Sequence, residues 1–249
     1  MKRFVQILPI ILICGALLFV GCATDEGTGI EDPTTATGWI ELGWSQFEIG
    51  DYDNADYSFS FGINDAEQDY WNAYEDSLYA AAIGDSTGQD SLHQVMMDQL
   101  EILTDGLTGI GWNSVKQANA ATASFVFINA IDIDPDYIDA LAGFAFSLQT
   151  IEQWLQSNEN VESVLGLDPD WEFEHDWQID YLDLMLMRAE NYFFLADFEA
   201  SLLEALVVND LVRADYPQLP AYTVEDFNLA TIEGRTALIE LIDTLEDYL

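Results

Sequence analysis

Forty-six carboxylates, two histidines, two cysteines and only six Lys or Arg make up the reactive inventory of this 249-residue chain. With so many acids, some pair stands at any separation a glycosidase uses, so a carboxylate pair identifies nothing here. His93 and His175 lie in unrelated contexts without an H-x-x-x-H partner, and two cysteines cannot complete a zinc constellation with them. Neither a G-x-S-x-G elbow nor a phosphate-binding loop is present. Asp132-x-Asp134-x-Asp136 imitates the opening of a calcium loop, but Tyr137 stands where Gly is needed and Gly143 where a bidentate Glu is needed. The residues therefore predict no catalytic centre, no metal and no cofactor, and the protein is expected not to be an enzyme. Nucleic-acid binding is excluded as a main activity, because affinity for phosphates comes largely from Lys and Arg.

The elements that carry these residues begin with an export signal. Lys2 and Arg3 precede an apolar stretch over residues 4–20, broken by Gln6, Pro9 and Gly15, which gives the charged and apolar regions of a signal peptide over residues 1–21. The run is short for a membrane-spanning helix and contains a Pro. It ends in Leu18-Phe19-Val20-Gly21-Cys22, which resembles the lipobox of bacterial lipoproteins, with Phe19 where Leu is usual. The resemblance implies lipidation at Cys22 and a membrane tie through the N-terminal lipid. Ala23 follows that Cys where an Asp would imply retention at the inner membrane, so the outer membrane of the cell envelope is the expected location. Residues 22–36 are small, polar and aperiodic, as suits a flexible tether. Cys14 falls inside the signal, so no disulfide is expected and the folded body must be held by its core.

Loss of residues 1–21 would leave four cations, Lys116, Arg188, Arg213 and Arg235, against 46 acids. Half of the residues are hydrophobic and 13% aromatic, which excludes a disordered acidic tail. Self-repulsion on this scale predicts a protein more stable in salt or with divalent counterions.

Residues 37–209 carry a 34-residue period. Trp39, Leu42 and Gly43 are followed by a turn at Gly50-Asp51 and by Ala55 and Phe59. Two periods later stand Leu107, Ile110 and Gly111, then Ala123, Phe127, Ala130 and Asp134-Pro135. The intervening unit keeps Ala73, Ser77 and a turn at Gly84-Asp85. The next gives Leu141, Ala145, Val161, Val164 and Asp168-Pro169. After an insertion over residues 171–180, Met185, Ala189, Tyr192, Ala196-Asp197-Phe198, Ser201 and Ala205 resume the frame. These residues resemble the tetratricopeptide repeat, most clearly over residues 37–170. The expected fold is all-α: a superhelix of about five helix-turn-helix units, the second and fifth degenerate. Small residues at Gly43, Ser77, Gly111, Ala145 and Ala189 would let paired helices approach, and Asp-Pro would end the second helix. Over residues 210–249, Pro217 and Pro220 mark a loop. Thr223 and Asp226 then offer a start for a helix through Phe227, Ala230, Leu238, Leu241, Ile242 and Leu245, capping the last repeat.

In such repeats the first helix of each unit lines a groove. The resemblance places Trp44, Leu78, Trp112, Phe146 and Glu190 at its ninth position and Phe47, Ala81, Val115, Gln149 and Phe193 at its twelfth. Trp44, Phe47, Trp112, Phe146 and Phe193 are accordingly the expected partner-contacting residues. No Lys or Arg occupies the positions that clamp C-terminal carboxylates, so the partner is expected to be a protein or peptide that is not strongly acidic, with apolar anchors flanked by basic residues. The expected function is a lipid-anchored docking or scaffold module at the cell envelope. A surface glycan-binding lipoprotein of a nutrient-uptake system is the alternative, and an acid-dependent envelope hydrolase a more distant one.

Overall fold

Among the described residues five adopt left-handed backbone conformations: Gly50, Gly84, Ala118, Glu152 and Ala196, with φ between 57 and 78°. The first four recur every 34 residues, and the fifth follows after 34 plus the ten of the insertion. Each closes a helix in the same way. The amide of the left-handed residue donates three residues back, Gly50 to Phe47 O at 2.9 Å, and the next amide donates five back, Asp51 to Gln46 O at 2.9 Å. This paired bond satisfies carbonyls that the helix end would leave open. The same pair recurs at Gly84-Asp85, Ala118-Asn119, Glu152-Gln153 and Ala196-Asp197. The period read from residue types is thus present in the backbone, and the all-α, tetratricopeptide-like architecture is what the described residues form.

The structure is a computed structural model and describes residues 33–249; the expected signal, Cys22 and the tether up to residue 32 lie outside the described residues. The helices are α1 (Ala36–Glu48), α2 (Tyr52–Ile83), α3 (Ser86–Lys116), α4 (Ala120–Ile133), α5 (Ile138–Thr150), α6 (Trp154–Leu167), α7 (Tyr181–Phe194), α8 (Phe198–Asp215) and α9 (Ile232–Glu246), with a 3-10 turn over Val224–Asp226. Residues through Ala140 make one compact unit and those from Leu141 a second.

In the first unit α1 packs on α2, α2 on α3 and α3 on α4. The separate second repeat expected from the sequence is replaced by fusion. Its first helix is the outer half of α2, and its second is the beginning of α3. Where the third repeat ends in Asp134-Pro135, the corresponding residues one and two periods earlier are Leu100-Glu101 and Ala66-Glu67. Neither pair contains the proline that forces the preceding residue out of the helix, and all four are good or tolerable helix formers, so both helices run on. The internal turn survives because Gly84 takes φ 76° without a Cβ penalty.

Glycine lets aromatic rings seat directly on backbone in this unit. A methyl group at Gly43 would come within 2.6 Å of the Phe59 ring, and one at Gly111 within 2.5 Å of the Phe127 ring. Phe59 and Phe127 are fully buried. Asn113, also fully buried, donates from Nδ2 to Tyr52 O at 2.7 Å and ties α3 to the start of α2.

The second unit keeps its breaks. Ser157 Oγ donates to Ala145 O at 3.0 Å across the α5–α6 hairpin. Asn191, two periods and the insertion after Asn113, donates from Nδ2 to Ser157 Oγ at 2.9 Å and Asn158 Oδ1 at 2.8 Å. The insertion forms a closed loop: Glu172 pairs with Asp180 in an antiparallel bridge, Tyr181 N donates to Trp171 O at 2.8 Å, and Trp171 and Phe173 are buried. Its exit is fixed by a reciprocal cap, in which Asp180 accepts from Leu182 N and Asp183 accepts from Asp180 N.

α9 covers α7 and α8, as a terminal cap must. Leu238, Leu241, Ile242 and Leu245 close a core with Leu186, Ala189, Leu202, Ala205 and Val208. The cap starts later than the sequence predicts. Thr223 and Asp226 form a reciprocal cap, but around the 3-10 turn only, and Phe227 leaves it in an extended conformation. The long helix begins at Ile232, where Thr231 Oγ1 accepts from Gly234 N at 3.1 Å. Phe227 still packs into the core from the loop before the helix.

Candidate functional site

The five aromatic residues expected to contact a partner have three different fates. Trp44, Phe47 and Trp112 are core side chains of the first unit, at 6%, 3% and 0% exposure. Trp44 stands edge-on to Phe59 with ring centroids 5.0 Å apart, and its Nε1 donates to Asp105 Oδ1 at 2.8 Å. Trp112 is edge-on to Phe127, and its Nε1 donates to Asp139 O at 3.0 Å. The physical reason lies in the glycines: Gly43 and Gly111 bring neighbouring helices so close that large side chains beside them are enclosed by packing. Phe193 is half-buried against Phe194 and Phe198, beside the core under α9. Phe146 lines a cavity.

That cavity, about 150 Å³, lies within the second unit. α5 supplies Phe146 and Gln149 to it, and α7 supplies Asp183, Leu186, Met187 and Glu190. Glu246 at the end of α9 and Leu249 complete the lining. α7 delivers its four side chains because they lie three, one and three residues apart along one helix face. One wall is therefore apolar and the rest carries three carboxyl groups.

Those carboxyls are held in an unfavourable state. Burial raises Glu190 above the ordinary carboxylate range, and the negative charges of Glu246 and Asp243 add to it; the Gln149 amide, which donates to Glu190, opposes. Burial also raises Glu246, with Asp243 and Asp247 as like-charged neighbours. Asp183 is pushed up to about 6, first by burial and then by Asp180 and Asp176, against the stabilising backbone hydrogen bond from Asp180. Glu246 is exposed, so the cost of ionisation falls chiefly on the half-buried Glu190 and Asp183, where an entering cation would lower it. The second unit's arginines are engaged elsewhere: Arg188 pairs with Glu204 at 2.5 Å, Arg213 donates to Leu219 O and Asp210, and Arg235 lies over the Phe198 ring.

A wider depression of about 480 Å³ lies between the start of α8 and residues 224–229, lined by Asp197, Phe198, Leu202, Leu203, Val224 and Phe227. Its polar wall is the N-terminal end of α8, with Asp197 and Glu199.

Phe146, expected from the sequence at a groove, lines this cavity, whereas none of its three carboxyls was among the expected contact residues. One signal was available: Glu190 is the only charged residue in the ninth-position row, where the other four are Trp44, Leu78, Trp112 and Phe146. Asp183 and Glu246 gave none, because the cap that brings Glu246 to α7 is a tertiary contact. Among the described residues no cluster of His, Cys, Asp and Glu is arranged to hold a metal ion, and no helix is long and apolar enough to cross a membrane.

No family model and no curated protein sequence matches the chain. Among solved structures it is similar to MamA, at 16% identity over 76% of this chain and 94% of that one, with a TM-score of 0.39. It is similar to the TPR2AB domain of yeast Sti1 in a pHSP90 complex, at 10% identity over 84% and 86% of the chains and a TM-score of 0.38. It is also similar to PilW, a type IV pilus biogenesis factor, at 9% identity over 76% and 97% of the chains, with a TM-score of 0.36.

Proposed function

We propose that the chain is a non-enzymatic docking module whose second unit receives a peptide segment of a partner protein. The segment seats an apolar side chain against Phe146, Leu186 and Met187 and brings a Lys or Arg to Glu190, Glu246 and Asp183. The observation that carries this reading is the cavity itself, an apolar wall facing three carboxyls that burial and neighbouring acids have raised. Such a site gains most from a desolvated cation and rejects an acidic peptide by like charge.

The setting we propose is the cell envelope, with the chain held at the outer membrane through a lipid on Cys22. The Leu18-to-Cys22 sequence supports it.

The test of docking is capture of envelope proteins by the full chain. Phe146→Ala and Glu190→Gln should each cut recovery of the partner about tenfold or more while far-ultraviolet circular dichroism stays unchanged. Equal recovery by all three proteins would overturn the cavity as the site. For the anchor, Cys22→Ser should abolish metabolic labelling with palmitate and release the chain from the membrane fraction; labelling that persists would overturn it.

A further inference from the structure

The outer half of the α2–α3 hairpin, residues 67–103, exists because the breakers at residues 66–67 and 100–101 are missing. Its two helices meet along one narrow seam. α2 contributes Ala66, Ala73 and Ala80 at seven-residue intervals, with Tyr70, and α3 contributes Met96, Leu100 and Leu103. Outside the seam the hairpin exposes large apolar side chains: Tyr79 at 68%, Ile83 at 61% and Leu78 at 54%, with Tyr74, Val95 and Met97 between 37% and 46%. Tyr74 and Leu78, and likewise Tyr79 and Ile83, are four residues apart, so each pair forms a row along the helix. A seam of this width buries much less than the stripe a stable helix turns to its core.

Charge decides what fits. Residues 67–103 contain eight acids, Glu67, Asp69, Glu75, Asp76, Asp85, Asp90, Asp98 and Glu101, and no Lys or Arg. A second copy of the same hairpin would set eight acids against eight, and an anionic lipid surface would meet the same repulsion. A helix with an apolar face and Lys or Arg along its flanks meets both features: its apolar face covers the exposed rows and its cations meet the acids beside them.

We propose that this hairpin is a second docking surface, separate from the cavity of the second unit, and that it takes a cationic amphipathic helix of a partner protein to complete a three-helix bundle. Its exposed rows run along the helix, so it recognises a helical face and not a single side chain.

The probe is a synthetic helical peptide with Leu at i, i+3, i+4 and i+7 spacing and Lys elsewhere, read by fluorescence anisotropy against the full chain at about 0.15 M salt, where long-range attraction is screened. The double variant Leu78→Ser with Tyr79→Ser should weaken binding about tenfold or more, and so should Asp76→Asn with Asp98→Asn. All four positions are exposed, so the hairpin should keep its helicity. Leu155→Ser, at an exposed position of α6, should leave binding unchanged. Equal weakening by Leu155→Ser would place the peptide's apolar contacts outside the hairpin and overturn the proposal. So would equal binding of the same peptide with Glu in place of Lys. A dimer of the chain that dissociates in the Leu78→Ser, Tyr79→Ser variant would overturn it in favour of a second copy.

Discussion

The two units are built from the same 34-residue period and solve its packing differently. In the first, two inter-repeat breaks are lost, helices of 32 and 31 residues result, and glycine-on-aromatic contacts fill the core. In the second, breaks are kept, the residues equivalent to Phe59 and Phe127 shrink to Val161 and Ala205, and α9 closes the open end. All three arginines of the folded body fall in the second unit. The lesson is that the internal turn and the break between repeats are independent devices. The turn needs a residue that tolerates positive φ, and the break needs a proline. Losing one without the other converts two stacked hairpins into a single long one with apolar sides left open.

The largest effect should come from attacking the phenylalanine seats. Phe127→Ala empties a fully buried ring site and is expected to cost about 3–5 kcal/mol, whereas Val161→Ala at the equivalent point of the second unit should cost about half that. Urea melts of both variants check this; equal losses would mean that the two cores are packed alike. Restoring a breaker comes next. Glu67→Pro places proline inside α2 and should cost about 3 kcal/mol, with a fall in helicity by circular dichroism. A variant as stable as the parent would show that residues 52–83 were never one helix.

The pH response should belong chiefly to the second unit. Asp183 binds its proton more tightly in the fold, near pH 6 against an ordinary 3.8, so between those values the native state holds more protons than the unfolded chain. Its contribution to stability is therefore present at low pH and lost as pH rises through about 6, by on the order of 1–2 kcal/mol. Asp183→Asn keeps an acceptor for the Asp180 amide and should flatten that loss in melts from pH 4 to 8. A slope unchanged by the substitution would assign it to other carboxyls. The smallest effect concerns the turns. Ala118→Gly and Ala196→Gly relieve left-handed alanines and should each stabilise by about 1 kcal/mol, whereas Gly50→Ala should destabilise by a similar amount. Thermal melts giving the same sign for all three would contradict the shared turn geometry.

Much of the fold was legible in particular residues. Gly50-Asp51 and Gly84-Asp85 announce turns by type, and Asp134-Pro135 and Asp168-Pro169 announce breaks. The turns at Ala118, Glu152 and Ala196 are silent in isolation and are found only by counting 34 from the glycines. The second repeat misled because its turn is intact while its ends are not, and a missing proline is a weaker signal than a present glycine. The start of α9 misled because Thr223 and Asp226 form the right cap around the wrong element. At the cavity, Phe146 was legible by register, but Trp44 and Trp112 hold the same register and are core. What separates them is the packing around each, including the closeness that Gly43 and Gly111 impose in the first unit, which a position in the repeat does not specify.

By itself the sequence determined the all-α class, the 34-residue period with its ten-residue insertion, the need for a terminal cap and the strong acidity. These follow from local conformational preference and composition, which each residue carries wherever it stands. Only the tertiary structure decided that two helices fuse, that three of five expected contact residues are interior, and that Asp183, Glu190 and Glu246 share one cavity. Burial and the mutual repulsion of charges depend on which helices meet, and that depends on the summed packing of side chains distant in the chain.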